Sequence, residues 1–267
     1  MKRKNSIATR AFEVLRNEGV IVFFWKALAH INAFLLVFRH NKLEFLILPY
    51  VFLKIKKFNQ NGLNDLVSFC FYSVAGSIRP LQVKNEILEL LKIVGRMKPR
   101  VILEIGTANG GTLFLFSRVA SENATIISID FPDRRFGGGY PKWRGILYRA
   151  FALPGQRIYL LRADSHNRET LEQVKRILDG NGIDFLFIDG DHTYEGVKKD
   201  FEFYSPLVKK GGIIALHDIV VHPPDTGCEV SKFWNEIKEQ KHEYAEIVGD
   251  RNQNWGGIGL LFMNFKR

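Results

Sequence analysis

The stretch PRVILEIGTANGGTLFLFSRVA, residues 99–120, contains the signals that decide the fold. Val101–Ile105 is a short, β-branched apolar run and reads as a strand. Gly106, Gly110 and Gly111 break it, and Thr112–Ala120 continues as an apolar helix. A strand, a glycine turn and a helix in that order make a place where backbone can approach a ligand closely. The turn carries no Gly-Lys-Ser/Thr ending, so it is not a P-loop, and it lacks the G-x-G-x-x-G spacing of the dinucleotide fingerprint. What stands is E-x-G-x-x-x-G, from Glu104 to Gly110.

Working outward, the same alternation repeats. Val83–Met97 before it is an amphipathic helix with Ile87, Leu90, Leu91 and Val94 on one face. After it come ATIISID, RIYLLRADS, IDFLFID and GGIIALHD, read as strands ending at Asp130, Asp164, Asp189 and Asp218. Helical stretches such as Arg168–Leu178 and Tyr194–Leu207 lie between them. Near-continuous apolar strands alternating with helices predict a parallel sheet covered on both faces, with ligands bound beyond the carboxyl ends of the strands. One acid at a strand end is commonly a cap or turn residue. Four on one edge predict a shared site.

Charge separates a second region. Residues 1–60 hold eleven Lys or Arg against three acids, a net +8 of the chain's +10. Residues 20–53 are apolar and aromatic but interrupted by Lys26, Arg39, Lys42 and Glu44, and the longest uncharged run, Ala27–Phe38, is too short to span a bilayer. Pro49 is expected to limit a helix there. Basic amphipathic helices at an anionic membrane surface are one reading; a helical subdomain packed on the main domain or in a homo-oligomer interface is the other. Nucleic acid is not expected, because the aromatics sit inside aliphatic runs rather than in basic, polar loops. With two distant cysteines, Cys70 and Cys228, and no early cleavage site, a reducing, cytoplasmic setting is expected, peripheral on the inner membrane face if the N-terminal region binds lipid. The organisation predicted is a basic helical segment over 1–79 and an α/β domain over 80–267.

The E-x-G-x-x-x-G turn, Asp130 and Asp164 together resemble class I S-adenosylmethionine-dependent methyltransferases. The further stretches GGGYPKWRGILYRAF, FIDGDHTYEGVKKDF, PLVKKGGIIALHD and WGGIGLLF resemble the cephalosporin hydroxylase-like and macrolide-sugar O-methyltransferases over about residues 80 to 265. The resemblance implies a Rossmann-like α/β fold, a mostly parallel seven-stranded sheet in which one strand, here Gly257–Met263, runs antiparallel beside the fifth. It implies S-adenosylmethionine as cofactor, held by Glu104, Gly106 and Gly110 at its amino-acid part, Asp130 at the ribose hydroxyls, and Asp164 and Ser165 around the adenine. The loop FGGGYPKWR, residues 136–144, is read either as a flap over cofactor or acceptor through Tyr140 and Trp143, or as a surface loop with anchored aromatics.

The resemblance also gives FIDGDHTYEG, residues 187–196, a role. Metal-dependent members place one ligand after the fourth strand and an adjacent pair after the fifth. Asp189 takes the first position, and His217 and Asp218, 28 and 29 residues on, take the pair. His217 departs from the usual acid, and an imidazole among carboxylates shifts preference from magnesium toward manganese, iron or zinc. His192, three residues past Asp189, matches the general base of the macrolide-sugar relatives. The structural alternatives are caps for Asp189 and Asp218, a packed His217, and a His192 that orders its loop by bonding Asp191. The function implied is metal-assisted O-methyl transfer, with magnesium or manganese, to a sugar or glycan hydroxyl, lipid-linked if the N-terminal region binds membrane. A hydroxylase-like modifying enzyme on the same scaffold and a non-catalytic, membrane-recruited cofactor-binding module are the alternatives.

Overall fold

The computed structural model describes residues 44–74, 76–132, 139–240 and 243–263. The first 43 residues, which carry most of the basic N-terminal region, lie outside the described residues, as does the start of the 136–144 loop.

Seven strands form one sheet: β1 (Val101–Ile105), β2 (Thr125–Ile129), β3 (Arg157–Leu161), β4 (Ile183–Ile188), β5 (Val208–His217), β6 (Glu243–Ile247) and β7 (Ile258–Phe262). Their spatial order is β3-β2-β1-β4-β5-β7-β6. The first five pair in parallel, and β7 runs antiparallel to both β5 and β6. This is the mixed sheet expected, with its antiparallel strand inserted beside the fifth.

Strand residues alternate between two cores because successive side chains point to opposite faces. Ile102, Ile126, Phe185, Phe187 and Leu260 face one core, and Leu103, Ile127, Leu186, Ile214 and Leu261 face the other. The first core is covered by α3 (Lys84–Met97) and α4 (Gly111–Val119), the second by α6 (Arg168–Leu178), α7 (Tyr194–Tyr204) and α8 (Val230–Ile237). A short α5 (Arg144–Arg149) lies between β2 and β3. All six residues of β4 are buried, as a central strand covered on both faces requires.

The first core also takes in α1 (Leu48–Lys57) and α2 (Leu63–Ser68), which runs on into a π-helical turn at Phe69–Ser73. Tyr50, Val51 and Ile55 bury one face of α1, whose last turn carries Lys54, Lys56 and Lys57. Pro49 stands in the first turn of α1, where an amide proton has no helical partner to lose, so it opens the helix rather than limiting it. Among the described residues no helix is long and apolar enough to cross a membrane.

Two strands differ from expectation. β3 stops at Leu161, and Asp164 sits in the following turn, where its Oδ1 accepts from the His166 amide at 2.9 Å. β6 has the polar pattern EYAEI of a half-exposed edge strand, and nothing in its sequence marked it as a strand.

Candidate functional site

The carboxyl ends of the parallel strands open into a cavity of about 340 Å³, lined among others by Gly106, Asp130, Asp164, Ser165, Asp189, His192, His217 and Asp218. The ladder continues past the strands to fix this edge. The Gly106 amide donates to the Ile129 carbonyl, the Asp130 amide to Leu161 and the Asp189 amide to Ile105, at 2.8, 2.9 and 2.8 Å. The four acids therefore share one edge because neighbouring strands hold their backbones in register.

Gly106 has φ +99°, and a Cβ there would collide with the Asp189 carbonyl. No side chain fits where the turn after β1 passes under the loop after β4. Gly110 does not line the cavity; at φ +75° it packs on the Tyr148 ring, whose hydroxyl donates to the Ala108 carbonyl at 2.8 Å. Arg144 Nη1 donates to that hydroxyl at 2.8 Å and to the Asn109 carbonyl at 3.2 Å, so α5 buttresses the glycine turn from behind.

Glu104 stands back from the cavity. It is fully buried; its carboxyl accepts from the Thr112 hydroxyl and from the Ser128 hydroxyl, the latter at 2.6 Å. Burial pushes its pKa up to about 8, more than the two hydroxyls lower it. It ties β1, β2 and α4 together beneath the turn.

Asp130 lines the cavity with its Oδ2 accepting from the Ala108 amide at 2.8 Å and its Oδ1 from the Gly139 amide at 2.9 Å. Burial raises its pKa to about 6 against the lowering effect of those amides. The Gly139 bond joins the middle of the 136–144 loop to this acid. Tyr140 is buried, edge-on to Tyr148 with centroids 4.8 Å apart, so this aromatic is an anchor inside the fold and is not presented to the cavity.

At the other end stands a knot of acids and imidazoles. Asp189 Oδ1 lies 3.0 Å from His217 Nδ1 and 3.4 Å from His192 Nε2. Asp218 Oδ2 lies 3.3 Å from His217 Nδ1 and 3.3 Å from His192 Nδ1. His192 thus leans on the two carboxylates, while Asp191 is engaged elsewhere, accepting from the Thr193 amide and hydroxyl at the start of α7. Burial alone would lower the His217 imidazole, but Asp189 and Asp218 outweigh it and lift it well above its ordinary value. Burial would likewise raise Asp218, yet His217 holds it below the usual carboxylate range.

Asp189, His217 and Asp218 offer one donor atom each within 4.8 Å of one another, and His192, Asp218 and Cys228 form a second such group that shares Asp218. Two carboxylates and an imidazole converging on a cavity wall suit a divalent cation, which would replace the proton that His217 now shares with the acids. Without a cation, burial keeps the Cys228 thiol up at about 11 and therefore protonated.

Three groups here escaped the sequence reading. Gln82 Nε2 donates to Asp189 Oδ2 at 2.5 Å from the turn before α3. His222 Nε2 lies 3.2 Å from Asp218 Oδ1. His166, on the cavity wall, lies 3.2 Å from the buried Asp200. Of these only His222, four residues beyond Asp218 in HDIVVH, leaves a local signal in the sequence.

A methyltransferase domain family matches residues 103–219, from β1 to just past β5. The mimivirus protein R132 from Acanthamoeba polyphaga mimivirus, itself uncharacterized, is 30% identical over 186 residues, covering 67% of this chain and 80% of that protein. The chain belongs to the class I S-adenosylmethionine-dependent methyltransferases. A second relative of this methyltransferase, the uncharacterized protein y4gI of Sinorhizobium fredii, is 27% identical over 181 residues, which cover 64% of this chain and only 18% of that protein. In fold the methyltransferase is similar to the O-methyltransferase TomG from Streptomyces achromogenes, solved in complex with S-adenosylmethionine, with a TM-score of 0.52 at 17% identity over 80% of this chain and 95% of that one.

Proposed function

We propose that this methyltransferase moves the methyl group of S-adenosylmethionine onto the oxygen of a sugar or related ring hydroxyl. The observation that carries the reading is the single cavity joining the Gly106 turn and Asp130 at one end to the Asp189, His192, His217 and Asp218 knot at the other. The cofactor end fits its ligand. The Gly106 backbone is bare where a Cβ could not stand, and the Asp130 carboxylate offers lone pairs toward ribose hydroxyls. Asp164 and Ser165 stand on the same wall, in reach of the adenine by resemblance.

In the transfer, a C–O bond forms as the methyl C–S bond breaks, and sulfur keeps the electron pair. The hydroxyl proton must leave. His192 is the base best placed to take it, because it stands between the two carboxylates that would stabilise the imidazolium. Asp189, His217 and Asp218 would hold a divalent cation, which supplies a lowered pKa to a hydroxyl near it. Asp189 and Asp218 also fix the His192 ring, and Gln82 fixes Asp189.

Recruitment to an anionic membrane surface is part of the same proposal and rests on residues 1–43, where eight Lys or Arg stand against two acids. A lipid-linked acceptor would be met there.

Calorimetric titration with S-adenosylmethionine tests the cofactor end. Asp130→Ala should weaken binding clearly, and unchanged affinity in that variant would sink the assignment. Full turnover after chelation with no metal detected would likewise make Asp189, His217 and Asp218 structural.

A further inference from the structure

Besides Phe131, which follows Asp130, two large apolar side chains stand exposed on the wall of this cavity, Leu81 at 48% and Trp255 at 47%. Neither is held there by packing into a core. Each sits on a backbone segment bonded to one of the paired carboxylates. Gln82, next to Leu81, donates to Asp189, and the Gly256 amide, next to Trp255, donates to Asp218 Oδ1 at 3.1 Å. The two segments also touch: a Cβ built on Gly256 would come within 3.1 Å of Val83.

The Trp255 loop is held firmly. The carboxyl of Glu86, fully buried in the first turn of α3, accepts from the Gly249 amide at 2.9 Å, Gln253 Nε2 at 2.7 Å and the Gly257 amide at 2.8 Å. Gln253 in turn donates to the Trp255 carbonyl at 2.8 Å. A large indole kept half in water on a fixed backbone is costly to leave bare, and it is pre-organised to bind a flat face.

We infer that Leu81 and Trp255 form the acceptor platform of the enzyme, recognising a six-membered ring with neighbouring hydroxyls. This rests on the proposed transfer to a ring hydroxyl and names the residues that select the ring. The indole and the leucine take the apolar faces of the ring. The carboxylates and imidazoles beside them take its hydroxyls. An acyl chain laid against Leu81 and Trp255 would leave the neighbouring Asp189, His192, His217 and Asp218 without polar partners, whereas ring hydroxyls supply them. A pyranose and a catechol share the required chemistry.

Ligand-detected magnetic resonance titrations test the platform on the full chain with manganese and S-adenosylhomocysteine bound. The probes are methyl α-D-mannopyranoside, catechol and the open-chain propane-1,2-diol. In the unaltered protein at least one ring should bind more tightly than the diol, and which one identifies the source of the ring. Trp255→Ala should weaken that ring by about three- to tenfold, the range of one aromatic contact, with Leu81→Ala acting in the same direction and Trp255→Phe retaining most of the affinity. Binding of S-adenosylhomocysteine and of the diol should not move. The platform is overturned if neither ring outbinds the diol, if Trp255→Ala binds the ring as before, or if that variant loses S-adenosylhomocysteine to the same degree. Methyl transfer is read separately. Ring binding that depends on Trp255, with no methyl transferred to any hydroxyl, contradicts the proposed reaction and leaves the platform standing.

Discussion

His192 and Glu104 illustrate how far environment decides a residue's task. His192 stands between Asp189 and Asp218 on the cavity wall, at the end opposite Asp130. His192→Ala should therefore cut single-turnover methyl transfer by about 10²–10⁴-fold, the usual contribution of a positioned base, with S-adenosylmethionine affinity nearly unchanged. Burial lowers the His192 pKa, but Asp189 and Asp218 outweigh it and hold it above its ordinary value, so the unaltered enzyme's rate should rise with pH as His192 loses its proton, and that rise should disappear in the variant. A variant with wild-type rates would leave His192 as a loop-ordering residue. Glu104 looks from sequence like a ligand of the same rank, because its place in E-x-G-x-x-x-G gives no hint that Thr112 and Ser128 close over it. Its folded pKa is raised to about 8 from an unfolded value of about 4.5. The folded state thus binds the extra proton between those values, and stability should fall as pH rises from about 4.5 to 8. Glu104→Gln, neutral at every pH, should flatten that slope in denaturant titrations across the range. A slope identical to that of the unaltered protein would mean that the carboxyl is ionised in place.

At the level of elements, β1, β2, β4 and β5 were legible because their buried stretches are mainly apolar and are followed by Gly or Asp. β6 was not, because an edge strand with one wet face needs no apolar run and Glu243 and Glu246 disguise it. The Asp189, His217 and Asp218 group was legible through the family resemblance, and β4 and β5 bring its members together because adjacent parallel strands keep their ends level. Gln82 and Trp255 reach the site from turns whose position depends on tertiary contacts, and no period in the sequence marks them. Glu86 shows the same limit. It reads as one more acid in an amphipathic helix, yet it gathers three hydrogen bonds from a loop more than 160 positions away. Glu86→Ala should lower stability by about 1–3 kcal/mol, the cost of leaving buried donors unsatisfied. Thermal unfolding checks this, and an unchanged midpoint would mean that the 249–257 loop is held by other contacts.

For the whole molecule, the charge boundary in the sequence and the packing boundary in the structure do not coincide. Basic residues run to Lys57, whereas Ile47, Val51 and Ile55 are already in the core beneath the sheet. Packing commits α1 to the fold, and the proposed membrane recruitment rests on the charge of residues 1–43 alone. Removing residues 1–43 should release the protein from anionic vesicles and leave cofactor binding intact. Removing residues 1–60 should also destabilise it, since each buried aliphatic side chain lost forfeits about 1.5–3 kcal/mol. Equal vesicle binding by the shorter truncation would reject recruitment, and equal stability of the longer one would reject the packing role of α1.

Methyl transfer to oxygen is the central claim, and isotopic labelling tests it most directly. The purified enzyme, supplied with manganese and S-adenosylmethionine carrying a deuterated methyl group, is incubated with the glycan and lipid fractions of cells lacking the gene, and the products are fragmented by mass spectrometry. The account predicts a deuterated methyl ether on a ring hydroxyl, present with the unaltered enzyme and strongly reduced with His192→Ala. Label on nitrogen or carbon, or no label in any fraction while S-adenosylmethionine is bound, would contradict it.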